Sequence, residues 1–240
     1  DYATTLLPHA KSLLEEYDAI RSLRTLAAKS QSVVTIYALD HVLAYLGASL
    51  IEDFHEAYPS IILSVVDTTD AHAIAALASQ QCSFAITAGP LDETRFEGDP
   101  LFFSHYSVRM HRSHPLAKLP ALTYDDLDGQ TIISKGRAYD CFRHHIDKYF
   151  LAPRREIHIL AETADESIIR TLLLHNKAIN IGYDYADPLY PHPDIVSRTL
   201  KEEISGQMIY LVSNPQVRKT KAACLFRDYL LEWMKKKADK

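Results

Sequence analysis

The chain has 240 residues, 47% of them apolar, with 26 basic against 31 acidic side chains and a net charge of −5. That length allows one large core or two modest ones, and the acidic balance argues against this segment gripping a nucleic-acid backbone over a broad surface. Cys82, Cys141 and Cys224 are widely spaced and form no C-x-x-C pair, so they indicate neither a disulfide framework nor a structural zinc site and point to a reducing cytoplasm. No apolar run reaches the roughly 20 residues of a membrane span, and Asp1 to Thr5 lack the basic and apolar regions of a signal peptide.

From the N-terminus, Leu6, Leu13 and Ile20 recur at seven-residue intervals, with Ala10 and Tyr17 between them and Leu7 and Leu14 widening the stripe. This is the pattern of a helix–helix seam, or of a helix lying on its own domain. The chain opens straight into it without an initiating methionine, which suggests a piece of a longer protein. Ala28 to Ser32 form a polar hinge, and Val33 to Leu39 read as the first strand. Asp40 can cap a helix whose apolar positions Val42, Leu43, Leu46, Leu50, Ile51 and Phe54 keep helical spacing until Pro59 stops it.

Ile61 to Val66 then form a run rich in branched residues, as a strand buried on both faces requires. Asp67-Thr68-Thr69-Asp70 turn the chain and cap a helix carrying Ile74 and Leu77, and Ser83 to Thr87 make another buried strand. Crossovers of this length imply parallel pairing. A long strand from Leu101 to His111 puts Phe102, Tyr106, Val108 and Met110 on one face and His105, Ser107, Arg109 and His111 on the other, which reads as wet.

The chain is expected to cross into a second lobe at about Arg112 to Pro115. That lobe has strands near 131–134, 156–161 and 178–183 and helices near 139–150 and 164–175, the latter opened by a capping box, Thr163-Ala164-Asp165-Glu166. The chain returns between Ser197 and Gln207, adds a strand from Met208 to Val212 and ends in a helix from Thr220 to Lys236. The basic clusters Arg218 to Lys221 and Lys235 to Lys237 read as a solvated tail.

Several of these segments carry a family signature. They are Phe54-His55-Glu56-Ala57-Tyr58-Pro59 with the strand after it, Ala76-Leu77-Ala78, Ser83-Phe84-Ala85-Ile86-Thr87, His114-Pro115-Leu116-Ala117, Leu122 to Ile133 with Asp126-Leu127 ahead of a strand, and Gly182 near a strand end. In this order they resemble the effector-binding domain of LysR-type transcriptional regulators over nearly the whole chain, with Ser83 where the family usually has aspartate.

The resemblance implies an α/β fold, a bilobed periplasmic-binding-protein-like (type 2) clamshell of two mixed sheets flanked by helices and preceded by a linker helix. Residues 1–30 would be the linker and dimerisation helix, 31–113 plus 206–240 lobe I, and 114–205 lobe II. It further implies the effector-sensing and oligomerisation portion of a DNA-binding regulator. Such a protein is cytoplasmic and a dimer or tetramer, and it reaches DNA through a winged helix-turn-helix expected ahead of Asp1.

The catalytic signatures are missing. With seven glycines the chain has no G-x-G-x-x-G, P-loop or G-x-S-x-G, so neither an enzyme nor a cofactor is expected. The nearest histidine pairs, His111 with His114 and His144 with His145, are poorly arranged for a metal. Asp125-Asp126 and Glu202-Glu203 read as caps and solvated residues.

A cleft remains. Ligands gather at the carboxyl ends of strands in open α/β sheets. That rule selects Leu39, Asp40, His41 and Val42, then Thr87 and Ala88, then Ser134, Lys135, Gly136 and Arg137, then Tyr183 and Asp184. The resemblance places the family's effector on the same segments. Arg137 and Lys135 suit a carboxylate, and Thr163 or Ser134 can offer a hydroxyl. Asp40 is either a helix cap or a partner for a ligand amine or hydroxyl, while His41, Tyr183 and Asp184 equally fit a surface role. The expected partner is a small organic acid or amino-acid-like metabolite. The alternative is a solute-binding receptor of a transport system with the same bilobed fold, which would need a signal peptide or lipid anchor.

Overall fold

The structure, a computed structural model, describes residues 31–201 and 206–238. The seam-forming helix expected over residues 1–30 and the Glu202-Glu203 pair lie outside them. Strand β1 (Ser32–Leu39) is flanked in parallel by β2 (Ile61–Thr68) and β3 (Phe84–Ala88), as the crossover lengths require. Strand β9 (Gly206–Ser213) runs antiparallel to β3, and the 15-residue β4 (Glu97–His111) runs antiparallel to β9. In β3 all five residues are buried. β2 departs from expectation: it is the edge of this sheet and leaves Ile62 42% exposed, so it is not buried on both faces.

Glu97 to His105 of β4 pair with β9, whereas Tyr106 to His111 pair with β7 (Ile179–Tyr183) and β8 (Ile195–Thr199). The second sheet continues from β7 in parallel to β5 (Thr131–Ser134) and on to the edge strand β6 (His158–Glu162). The change of partner therefore lies inside β4, ahead of the Arg112 to Pro115 crossing that the sequence suggested. Gly206 stands at the return crossing, where a Cβ would come within 2.3 Å of the Ser104 carbonyl oxygen, so only glycine lets the two strands approach.

The helix expected from Asp40 to Tyr58 is two helices, α1 (Val42–Leu46) and α2 (Ala48–Ala57), broken at Gly47, whose φ of 98° disfavours any L side chain. Asp40 does not cap α1. The position before it is His41, at φ 66° and with no side-chain cap bond. Helix α3 (Asp70–Ala78) does begin as the turn residues suggest, with Thr69 accepting from the His72 N–H. Helix α4 (Asp140–Ile146) continues as a wider turn to Leu151.

Helix α5 (Glu166–Leu174) starts two residues later than the capping box implied. Asp165 accepts from the Ser167 and Ile168 N–H groups, because Glu166 is held elsewhere. Helix α6 (Lys221–Ala238) packs back on the first sheet through Phe226, which lies 5.4 Å from Phe54 and 6.0 Å from Phe84 between ring centres. No described helix is long and apolar enough to cross a membrane.

The polar face of β4 is wet only in part: His105 is exposed, but the stretch after it is not. Tyr106 through Met110 are all buried, so Ser107 and Arg109 are interior groups that need partners. Arg109 finds them within the second sheet. Its two terminal nitrogens donate to Glu166 Oε1 and Oε2 at 2.6 and 3.0 Å, and its Nε and Nη2 donate to Asn180 Oδ1 at 3.2 and 2.9 Å. Asn180 in turn donates to the Ile133 carbonyl at 3.0 Å, and Asp187, whose carboxyl is pushed up by burial, lies 3.9 Å from Arg109 Nε and accepts from the Ser197 hydroxyl.

Candidate functional site

The carboxyl ends of β1, β3, β5 and β7 converge on a groove between the two sheets. At its centre Asp40, just after β1, forms an ion pair with Lys135, just after β5. The two side chains are only 13% and 16% exposed, so the pair joins the two sheets in a largely dry position. His41 Nε2 lies 3.1 Å from the same carboxylate oxygen, and its Nδ1 is 3.0 Å from the Tyr190 hydroxyl. Burial pushes the His41 imidazole down, and Lys135 adds to this more than Asp40 opposes it, so the ring is held neutral. Tyr185 donates to the Asp40 carbonyl at 3.0 Å, and the Lys135 ammonium lies 5.6 Å from the Tyr139 ring centre. One oxygen of Asp40, Oδ1, is buried without a hydrogen-bond partner.

Open space between the sheets lies along the end of β3. Thr87 is buried, and Ala88, Gly89 and Pro90 face Asp140, Arg143 and His144 of α4 and Asp147 of the wider turn after it across about 400 Å³. A second stretch of about 290 Å³ lies between Phe103, Tyr106, Tyr149 and Gln207 and includes Lys148. The Asp140 N–H also donates across the gap to Asp70 Oδ1 at 2.8 Å. Tyr183 is buried in the far wall, stacked on Tyr106 and Tyr185 and donating to Gln207 at 2.8 Å.

Several expected contacts sit elsewhere. Leu39 and Val42 are core residues, and the Ser134 hydroxyl is buried and accepts from the Gly136 N–H at 3.2 Å. Gly136, at φ 93°, packs against Glu162. Arg137 is 88% exposed and points toward Glu162, 3.8 Å away, not toward Asp40. Thr163 accepts from the Asp165 N–H at 3.0 Å, which engages its hydroxyl in the start of α5. Asp184 accepts from the Ser104 hydroxyl and the His105 N–H at 2.6 and 3.2 Å, so it braces β4 where that strand changes sheets. The structure thus brings Asp40, His41 and Lys135 together and adds Tyr185 and Tyr190. The closely spaced tyrosines after β7 were the available signal for those two. Among the described residues no group of three or more His, Cys, Asp or Glu is placed to hold a metal ion.

Comparison with known proteins agrees with this architecture. Residues 27–235 match the family model described as LysR substrate binding domain. The chain is 23% identical over 129 residues to the uncharacterized HTH-type transcriptional regulator YbhD of Escherichia coli, covering 53% of the chain and 41% of that protein. It is 23% identical over 183 residues to the HTH-type transcriptional regulator CysB of Burkholderia cenocepacia, covering 75% and 58%. The chain therefore spans between two fifths and three fifths of the length of these relatives. Among solved structures, the effector binding domain of QuiR in complex with shikimate superposes with a TM-score of 0.75 at 20% identity, over 86% of this chain and 99% of that one. The chain belongs to the LysR substrate-binding domain family, the effector-sensing portion of LysR-type transcriptional regulators.

Proposed function

We propose that the chain binds a small anionic or zwitterionic metabolite in the groove between the sheets, and that occupancy sets the angle between two lobes. Residues 31–113 with 206–240 form lobe I, 114–205 form lobe II, and β4 is shared between them. The Asp40–Lys135 pair carries this reading. A buried cation and a buried carboxylate, held on different sheets and partnered mainly by each other, are groups that a ligand carboxylate or ammonium can take over without new desolvation. Asp40, His41, Thr87, Ala88, Lys135 and Tyr183 are the proposed contacts. QuiR's ligand, shikimate, is a carboxylate and supports the anionic class.

In the whole protein the change in lobe angle passes to DNA through an N-terminal segment, in a dimer or tetramer in the cytoplasm. Exposed Val33, Ile51 and Ile62 on one side and Ile159, Leu160 and Ile168 on the other support self-association. The transport-receptor reading is set aside, because the matched family and relatives are regulators.

A thermal-shift screen of small carboxylates and amino acids tests the proposal. A ligand at a hundredfold excess over its Kd stabilises by about 2.7 kcal/mol. Lys135→Met should remove most of that shift. A ligand whose stabilisation survives both Lys135→Met and Asp40→Asn unchanged binds somewhere else, and the groove reading fails.

A further inference from the structure

His145 takes no part in the contacts described above. It lies in α4, fully buried, and burial, reinforced by His144 and Lys148, pushes its imidazole down to about 3. The ring is therefore neutral, with one N–H donor and one bare acceptor nitrogen. Neither nitrogen has a hydrogen-bond partner among the described residues. Its neighbours are aromatic faces, with Tyr106 at 4.0 Å, Tyr149 at 5.2 Å and Tyr124 at 5.4 Å between ring centres. A neutral polar ring left unpaired in such surroundings costs folding free energy, which makes it a group waiting for a partner.

A small cavity opens against this ring. Tyr106, Phe142, Ile181 and Tyr183 wall it, and its polar side chains apart from the tyrosines are His145 and Lys135, the cation of the cross-groove pair. It measures about 20 Å³, room for one water-sized group. We propose that this cavity reads a hydroxyl on the ligand, and that the ligand is a 2-hydroxy carboxylate. Lys135 takes its carboxylate in place of Asp40, and the hydroxyl on the adjacent carbon enters the cavity to pair with His145.

The chemistry selects that group. A hydroxyl can donate to the bare nitrogen or accept from the N–H, so it suits whichever edge of the ring faces the cavity. A methyl would leave the imidazole unpaired, an ammonium would be repelled by Lys135, and a second carboxylate would lose its hydration in an apolar space. Because Lys135 and His145 line one cavity of this size, the two ligand groups must sit on neighbouring carbons. The assignment rests on the groove being the ligand site.

The test is calorimetric titration of the chain with two matched pairs, lactate against propionate and mandelate against phenylacetate. Each hydroxy acid should bind about tenfold tighter than its partner, and His145→Phe should erase that preference while keeping the weaker, shared affinity. The imidazole nitrogen resonances of His145 in the unsubstituted chain, which need no variant to fold, should shift with lactate and mandelate and stay put with propionate and phenylacetate. Equal binding within each pair with unmoved His145 resonances overturns the hydroxyl assignment, and leaves the groove reading intact where Lys135→Met abolishes binding of both members. If none of the four acids binds, the 2-hydroxy acid class is overturned, whereas the groove reading falls only if the wider carboxylate screen is silent too.

Discussion

Two cation–carboxylate clusters involve the second sheet, and they are built differently. Arg109 is held by two oxygens of Glu166 and by Asn180, on β4, α5 and β7, which all pack within one body. Among the described residues Lys135 is held by Asp40 alone among carboxylates, and the two stand just after strands of different sheets. Both pairs are mostly buried and chemically alike. Arg109 can lose its partners only by unfolding the second sheet, whereas Lys135 can lose Asp40 by a change in the angle between sheets or by exchange with a ligand. A buried ion pair is a weak source of net stability in either place, so what separates the two is whether their supports can move apart.

Removing one partner is the sharpest way to break that comparison. Arg109→Met strands Glu166, largely buried at the start of α5 against the second sheet, and should cost about 3 to 5 kcal/mol, read as a lowered urea midpoint. If the loss is under about 1 kcal/mol, the cluster is not the fixed element described here.

Acid acts on the surroundings of the Asp40–Lys135 pair through two histidines. His41 and His145 have folded pKa values below the unfolded 6.5, the latter about 3. The unfolded chain therefore binds more protons as pH falls through 6.5, and stability that is fully present above that pH is lost below it. Between pH 7.5 and pH 5 His145 alone should cost about 2 kcal/mol. His145→Phe should flatten the pH dependence of the urea midpoint by that amount.

Lys135→Met and Asp40→Asn should each cost only about 1 kcal/mol or less in unfolding experiments, because the remaining group can hydrate once the sheets part. Their effect belongs in ligand binding. Arg137→Ala, at an exposed side chain, should change stability by under about 0.5 kcal/mol and leave the ligand-induced thermal shift nearly intact.

Much of this was legible in the residues. The order of strands and helices from Val33 to Thr87 follows from apolar runs and turn residues whose spacing is local. Strand ends picked out Asp40, His41 and Lys135, since the topology rule needs only the ends of elements. What escaped was decided by partners distant in sequence. Arg109 read as a wet residue because alternation cannot show that Glu166, 57 residues later, covers it. Glu166 read as part of a capping box for the same reason. Gly47 broke a helix whose apolar spacing ran straight through it, and β8 went unseen because it pairs with the second half of β4. Arg137 and Lys135 both suited a carboxylate by charge, and only three dimensions turn one outward and the other toward Asp40.

The claim that the groove opens and closes about the Asp40–Lys135 pair can be measured directly. Spin labels at Glu232→Cys on α6 and Lys177→Cys after α5, with Cys82, Cys141 and Cys224 replaced by serine, report the distance between the two sheets' outer helices. The unsubstituted pair should give one narrow distance distribution, Asp40→Asn a broader and longer one, and a ligand found by the carboxylate screen should change the distribution of the former. Superimposable distributions in all three samples would contradict the account.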